Sequence, residues 1–175
     1  GLDFFLSKKD EIDLTVFPKP YITFAIGGTH FTKKLPTEKI ISICKKRKES
    51  VVLIGGPEDF EIGKIIESNC DNVINTCGKY NINESAFIVN NSDLLITHDT
   101  GMMHIAAALG TKIFSIFGGT HPNLGFAPYK PNSENRIIQI ENLDCRPCHR
   151  YGKSKCPKGH FKCMQEIDEN NFLSE

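Results

Sequence analysis

The chain lacks an excess of charge of either sign, because 21 lysines and arginines balance 21 aspartates and glutamates. Nucleic-acid-binding proteins usually carry a basic excess, so this balance argues against a nucleic-acid partner. No apolar run approaches the roughly 18 residues of a membrane span. No basic region with an apolar stretch behind it marks a signal peptide. The first residue is not Met, and we expect the chain to be a piece of a longer protein.

The composition that is present is typical of a folded soluble protein. Of the 175 residues, 39% are hydrophobic and 24% are charged, and this length is sufficient for one domain with a real core. The seven cysteines are an odd number and no export signal accompanies them. These two features favour a reducing, cytoplasmic location over a disulfide framework.

Short, wholly apolar segments alternate with helical segments along most of the chain. This alternation predicts a parallel sheet covered on both faces, and therefore a Rossmann-like, doubly wound α/β fold. In the second helix, Ile62, Ile65 and Ile66 are predicted to face inward. Strands are predicted at 21–26, 51–54, 73–74, near 94, near 113 and at 136–140, and helices at 36–48, 58–68, 83–90 and near 102.

Glycine and threonine are concentrated where four of these strands end, at 27–29, 55–57, 98–101 and 117–120. Ligands of doubly wound sheets bind at the carboxyl ends of the strands. We therefore expect all four turns to line one crevice. Residues 121–135 are predicted to form a long loop that contains several prolines.

The most informative run is 98–104, between two apolar strands. Asp99, Thr100 and Gly101 open a helix, where free N–H groups and the helix dipole favour an anion. Asp99 would repel a phosphate, so its carboxylate is better suited to accept hydrogen bonds from sugar hydroxyls. The alternative is that Asp99 or Thr100 is an ordinary N-cap and that His104 packs locally.

Other charged residues fall at the same predicted edge of the sheet. Lys33 and Lys34 follow the first strand, from which a lysine can reach a diphosphate, although a solvated pair is the alternative. Glu58, Asp59 and Glu61 follow the second glycine turn, where a carboxylate can hold ribose hydroxyls. Their alternative role is to favour a helix N terminus.

Residues 45–48 are all basic and end the first predicted helix. There they complement the helix dipole and are expected to face water. Contact with an anionic membrane is the alternative interpretation.

Four cysteines, Cys145, Cys148, Cys156 and Cys163, are clustered within nineteen residues. One Cys-x2-Cys pair with two further cysteines can form a tetrahedral zinc site, in which a histidine could replace a thiolate. Six basic residues and no acidic residue lie between Cys145 and Cys163, and they would offset the charge of the thiolates. Two disulfides and free thiols are the alternatives to structural zinc.

With these motifs in place, the chain resembles the C-terminal domain of the family 9 glycosyltransferases, the ADP-heptose:lipopolysaccharide heptosyltransferases. Leu35 stands where the family has tryptophan in a Lys-x-Trp-Pro pattern. The Asp-Thr-Gly-x-x-His motif is the most specific match. The matching segments, in order, are residues 1–5, 33–36, 52–58, 99–110 and 117–122.

The resemblance implies the donor-binding half of a GT-B glycosyltransferase. Lys33, Thr100 and Gly101 would bind the diphosphate of ADP-heptose, Asp99 the heptose, and His104 would support the site. A ribose carboxylate falls at Glu58, or less securely at Glu61. The acceptor groove and the catalytic base would lie in an N-terminal domain outside this chain, so we expect no catalytic base here and no activity from the chain alone.

The same resemblance implies transfer of heptose to the inner core of lipopolysaccharide, at the inner face of the inner membrane. The donor region has no Asp-x-Asp pattern, which agrees with catalysis that needs no cofactor. We divide the chain into an entry segment (1–20), a nucleotide-sugar-binding domain (21–143) and a cysteine-rich basic segment with the C-terminal tail (144–175). A GT-B transferase for another nucleotide sugar and a zinc-stapled, non-enzymatic binding module are the alternatives.

Overall fold

The computed structural model describes residues 2–129 and 133–173; the ends of the predicted domains at 1 and 174–175, and part of the 121–135 loop, lie outside these residues. Within them, six parallel strands form one sheet in the order β3-β2-β1-β4-β5-β6. The Rossmann-like prediction is therefore confirmed. The strands are β1 (Tyr21–Ala25), β2 (Ser50–Ile54), β3 (Val73–Asn75), β4 (Leu95–His98), β5 (Ile113–Ile116) and β6 (Arg136–Ile138).

Helices connect the strands and cover both faces of the sheet. Side chains alternate between faces along a strand, so Ile22 and Phe24 of β1 enter one core while Tyr21 and Ala25 enter the other. The helices are α1 (Thr37–Lys46), α2 (Phe60–Ser68), α3 (Ile82–Asn90), α4 (Gly101–Leu109) and the short α5 (Lys162–Gln165).

Different helices contribute buried side chains to the two cores. Ile40 of α1 and Ile66 of α2 pack in the first core, and Ile88 of α3 and Met103 of α4 pack in the second. The predicted inward position of Ile65 is wrong, because this side chain is 52% exposed. Ile65 lies roughly 100° around α2 from Ile66, which is fully buried, so it falls on the solvent-facing flank of the helix.

The C-terminal residues pack against the first core instead of forming a separate core. Phe161, Met164 and Phe172 are buried there beside the sheet. Arg47 contributes to this packing, since its guanidinium donates to the carbonyl oxygen of Phe172 and pairs with Glu49. The expectation that all of residues 45–48 face water is therefore wrong for Arg47, which is 7% exposed.

Residues 2–20 run along the other side of the sheet. Two 3-10 turns, Lys8–Asp10 and Leu14–Val16, lead to Phe17, which packs in the second core. Among the described residues, no helix is long and apolar enough to cross a membrane.

Candidate functional site

A cavity of about 700 Å³ opens at the carboxyl ends of β1, β2 and β4. In a parallel sheet these ends face the same edge, which is why residues far apart in sequence converge there. All the residues predicted to bind the donor line this cavity: Lys33, Glu58, Asp99, Thr100, Gly101 and His104. The structure therefore brings together the whole predicted set.

Asp99 is the best-held side chain of the cavity. Its Oδ2 atom lies 2.8 Å from the Lys33 ammonium and accepts a hydrogen bond of 2.9 Å from the Thr120 hydroxyl. Lys33 also donates to the backbone oxygen of Asp99 at 3.0 Å. Because the Asp99 side chain is only 4% exposed, this charge needs such partners, and they fix its position before any ligand binds.

The N terminus of α4 lies beside this pair. Thr100 occupies the N-cap position, but its side chain makes no capping hydrogen bond; its hydroxyl lies 3.3 Å from that of Thr97. The interpretation of Thr100 as an ordinary N-cap is therefore not supported. A Cβ placed on Gly101 would meet no atom within 4 Å, so the backbone at the start of α4 is open to a ligand.

His98 ties three parts of the site together from behind the cavity wall. Its Nε2 atom accepts from the backbone N–H of Leu35 at 3.0 Å, and Nδ1 lies 3.2 Å from the carbonyl oxygen of Gly27. This pattern requires the neutral ring with its proton on Nδ1. Burial lowers the pKa of His98 to about 4, consistent with a ring that stays neutral. No local pattern around His98 predicts this role.

The acidic residues after β2 divide into three positions. Glu58 is exposed and lines the cavity, whereas Glu61 is exposed outside its lining. Asp59 also lines the cavity but is buried, and its Oδ2 accepts from the backbone N–H of Gly56 at 3.0 Å. Burial raises the pKa of Asp59. A Cβ on Gly27 would lie 2.5 Å from this carboxylate, so glycine is required where the two turns meet.

The fourth predicted turn, residues 117–120, does not line the cavity. All four residues are buried behind it. A Cβ on Gly118 would lie 2.5 Å from a Met164 carbon, and one on Gly119 would lie 2.9 Å from Thr32, so both glycines serve close packing. Thr120 contributes indirectly, through its hydrogen bond to Asp99. The prediction of four lining turns is correct for three of them.

Arg146 holds this fourth turn in place. Its guanidinium donates to five oxygen atoms, which belong to the backbone of Phe117, Gly118, Thr120 and Ile140 and to the side chain of Gln139. Sequence reasoning had assigned Arg146 to the charge balance of the thiolates, and the structure gives it a bonding role as well.

Further cavity residues were missed because they are uncharged or follow the weak strand β3. The signal that could have found one group is the capping box at Asn81 and Glu84, which marks the start of α3 near the cavity. The missed lining residues include Tyr80, Ile82, Ser85, Met102 and Phe126.

The cysteine cluster lies apart from the cavity, and none of the seven cysteines forms a disulfide. The Sγ atom of Cys145 lies 3.9 Å from Nε2 of His160. Burial acts to raise the pKa of Cys156, but backbone N–H groups of residues 158–161 outweigh it and lower that pKa. Across residues 2–129 and 133–173, no three or more His, Cys, Asp or Glu side chains are grouped as a metal site.

The chain is similar in sequence to known proteins. The chain is 31% identical over 116 residues to lipooligosaccharide heptosyltransferase 2 of Campylobacter jejuni, a match that covers 66% of this chain and 34% of that relative. The match thus spans about a third of that relative's length.

Two solved structures share the fold. The E. coli ADP-heptose lps heptosyltransferase II superposes with a TM-score of 0.64 at 24% identity, over 71% of this chain and 39% of that one. The iron-containing dodecameric heptosyltransferase TibC of enterotoxigenic E. coli, solved in complex with ADP-D-beta-D-heptose, superposes with a TM-score of 0.59 at 16% identity, over 89% and 45%.

A family model, glycosyltransferase family 9 (heptosyltransferase), matches residues 3–158. This match covers most of the chain and includes the strand ends and the cavity that they form. The chain therefore belongs to glycosyltransferase family 9.

Proposed function

We propose that this chain is the donor-binding part of an enzyme that transfers heptose from ADP-heptose to the inner core of lipopolysaccharide. The observation that carries the proposal is the cavity at the strand ends. Lys33, the N terminus of α4 and the carboxylates of Glu58 and Asp99 converge there. This combination suits a nucleotide diphosphate that carries a sugar.

Lys33 is prepared to bind the diphosphate. An ammonium group has three N–H donors, and Asp99 accepts through its backbone oxygen and its carboxylate. The third donor is left for a phosphate oxygen. The Phe126 ring, whose centroid lies 5.7 Å from the Lys33 nitrogen, restricts the side chain further.

The transfer places negative charge on the departing nucleotide diphosphate. Lys33 and the N terminus of α4, at Thr100 and Gly101, are fixed in advance where this charge would develop, and such preorganised groups lower the barrier. Asp99 would accept from heptose hydroxyls, and Glu58 from those of the ribose. His104, in the first turn of α4, would support this arrangement.

The remaining functions are assigned to parts of the enzyme outside this chain, since the relatives are about twice as long. We propose that those parts supply the acceptor groove and the catalytic base, and that this chain alone transfers no sugar. We retain the division at residues 20 and 143, a cytoplasmic location at the inner face of the inner membrane, and a donor reaction without a cofactor as parts of the same proposal.

The direct test is thermal unfolding of the chain with ADP-heptose, ADP, UDP or GDP. A ligand present at 100 times its Kd stabilises the folded state by about 2.7 kcal/mol, which corresponds to roughly 5–10 °C at this chain length. We expect this increase with ADP-heptose and a smaller one with ADP. Equal stabilisation by UDP or GDP would instead favour a GT-B transferase for another nucleotide sugar.

A matched pair of variants locates the binding. K33M removes the cavity lysine, and K34M removes its neighbour, which does not line the cavity. The account predicts that K33M loses most of the nucleotide-dependent increase in Tm and that K34M keeps it. Equal losses in both variants would contradict the assigned role of Lys33.

We propose as a second point that Cys145, Cys148, Cys156 and Cys163 hold a structural metal. Four thiols from one segment are a donor set that suits zinc or iron, and Cys145, Cys148 and Cys156 are near enough to Cys163 to act on it electrostatically. The proposed metal would draw the four thiols into a closer group than the described residues show. Metal analysis of freshly purified chain should find one equivalent, lost in C156S and kept in C70S. This point would be refuted if the purified chain contained no metal and C156S unfolded at the same Tm as the native chain.

A further inference from the structure

A second cavity, of about 470 Å³, lies outside the donor site and differs from it in charge. It is lined by two lysines, one histidine, one serine and no carboxylate; the residues are His30, Gly152, Lys153, Ser154, Lys155 and Pro157. The 700 Å³ cavity at the strand ends, which we call the donor cavity, in contrast contains three acidic side chains, Glu58, Asp59 and Asp99. A ligand of the second cavity should therefore be anionic.

The walls of this cavity are built by contacts between distant parts of the chain. The backbone N–H of Lys153 donates to the Thr32 hydroxyl at 2.8 Å, and the Thr32 N–H donates back to the Lys153 carbonyl at 3.1 Å. Gly152 has a φ of 101°, and a Cβ there would lie 2.8 Å from Cβ of His30. These contacts fix the backbone from which the cavity's lysines project.

The positive charge around the cavity is not neutralised. Arg150, Lys153, Lys155 and Lys158 are exposed, and none pairs with a carboxylate within the described part of the chain. No Asp or Glu lies between Cys145 and Cys163, although the whole chain has no net charge. These basic residues are thus concentrated in one segment, whose exposed surface we call the basic face.

This face borders the donor cavity. His30 lies three residues before Lys33, and the 3-10 turn Phe31–Lys33 separates the two cavities. On the other side, the ring of Tyr151 contacts that of Phe126, with centroids 6.0 Å apart, and Phe126 lines the donor cavity. A molecule that spans both cavities would present an anionic group to one while it approaches the sugar in the other.

We propose that the second cavity binds a phosphomonoester on the sugar acceptor. Lys153 and Lys155 would supply charge, and His30 and Ser154 would supply hydrogen bonds, a combination suited to a dianionic phosphate. The proposal rests on the proposed function, since it names a feature of the acceptor for the same site.

The test is an NMR titration of the chain with glucose 6-phosphate, with glucose as the uncharged control, in the presence of saturating ADP. We expect glucose 6-phosphate alone to shift signals of residues 30–32 and 152–157. K153Q/K155Q should weaken its binding by about tenfold, the scale of a lost charge-assisted contact. K45Q/K48Q, which removes two exposed lysines near the end of α1, should change it less than twofold.

ADP binding separates this proposal from the preceding one. It should be equal in K153Q/K155Q and the native chain; absence of ADP binding from the native chain would count against the donor proposal and leave the glucose 6-phosphate result to be judged separately. The phosphomonoester proposal is overturned if K153Q/K155Q binds glucose 6-phosphate as the native chain does. It is also overturned if vesicles with 30% phosphatidylglycerol bind to this face and glucose 6-phosphate does not.

Discussion

The donor cavity and the second cavity, which we also call the basic cavity, lie on either side of the 3-10 turn Phe31–Lys33. The charged side chains of the two cavities are nevertheless held in opposite ways. Asp99 and Lys33 in the donor cavity are largely buried and paired with each other. Lys153 and Lys155 in the basic cavity are exposed and unpaired within the described residues. Buried charges must have fixed partners, whereas exposed lysines keep their freedom. The donor cavity thus holds its charged groups at fixed positions, whereas the second cavity leaves its lysines free to move towards an anion.

The largest expected effect comes from the buried turn behind the donor cavity. R146A removes a guanidinium that donates to five oxygens behind the donor cavity, and it should lower the free energy of unfolding by about 3 kcal/mol. Urea unfolding measures this loss. R150A, an exposed neighbour, should cost less than about 0.5 kcal/mol. Equal effects would show that Arg146 does not hold this turn in place.

Breaking the ion pair tests whether the donor cavity is preorganised. K33M leaves the Asp99 carboxylate with Thr120 as its remaining side-chain partner, and D99N leaves the ammonium without its countercharge; each should cost about 2 kcal/mol, less than for a fully buried pair. The double variant K33M/D99N should cost less than the sum, because no charge then stays unpaired. Additivity to within about 0.3 kcal/mol in urea unfolding would contradict the pairing.

His98 makes the stability of the donor region depend on pH. The folded chain keeps this ring neutral down to pH about 4, whereas the unfolded chain takes up a proton below its ordinary pKa of 6.5. The stability from the neutral ring is thus complete above pH 6.5 and decreases as the pH falls towards 4. Between pH 7 and pH 5 the loss should be about 2 kcal/mol.

The control for this pH dependence is H98Q, which keeps an acceptor for Leu35 but does not titrate. H98Q should be less stable than the native chain at pH 7, and its unfolding free energy should decrease less between pH 7 and pH 5. Parallel curves for the two proteins would show that His98 does not report the pH dependence.

The smallest effect concerns the ribose. E58A should weaken ADP binding about five- to tenfold, as expected for one lost hydrogen bond at an exposed position, without changing the Tm of the free chain. E61A removes a carboxylate three residues away, outside the cavity lining, and should leave the affinity within twofold. Calorimetric titration with ADP compares them, and a stronger effect of E61A would move the ribose site.

Much of the sheet could be predicted from the sequence because its signals are local. Apolar runs such as Val51–Ile54 identify strands, and the turns after β1, β2 and β4 identify the ligand edge. The candidate residues Lys33, Glu58 and Asp99 follow from those turns, and the structure places them in one cavity.

The remainder depends on contacts between distant residues, for which a single sequence contains no signal. The role of His98 depends on where Leu35 and Gly27 fall after folding. The burial of Arg47 depends on the C-terminal segment, and the exposure of Ile65 depends on which flank of α2 packs against the sheet. Local patterns thus predict residues that line the cavity but not those that hold it from behind.

Hydrogen exchange of the amides, measured with and without ADP-heptose, is the most direct test of whether the donor binds in the cavity at the strand ends. The account predicts slower exchange at residues 27–33, 55–59 and 98–104 with bound ADP-heptose, and no change at residues 145–163, which carry the basic face. Protection confined to 145–163, or none in the three turns under conditions that saturate binding, would contradict the assignment of the donor to the cavity at the strand ends.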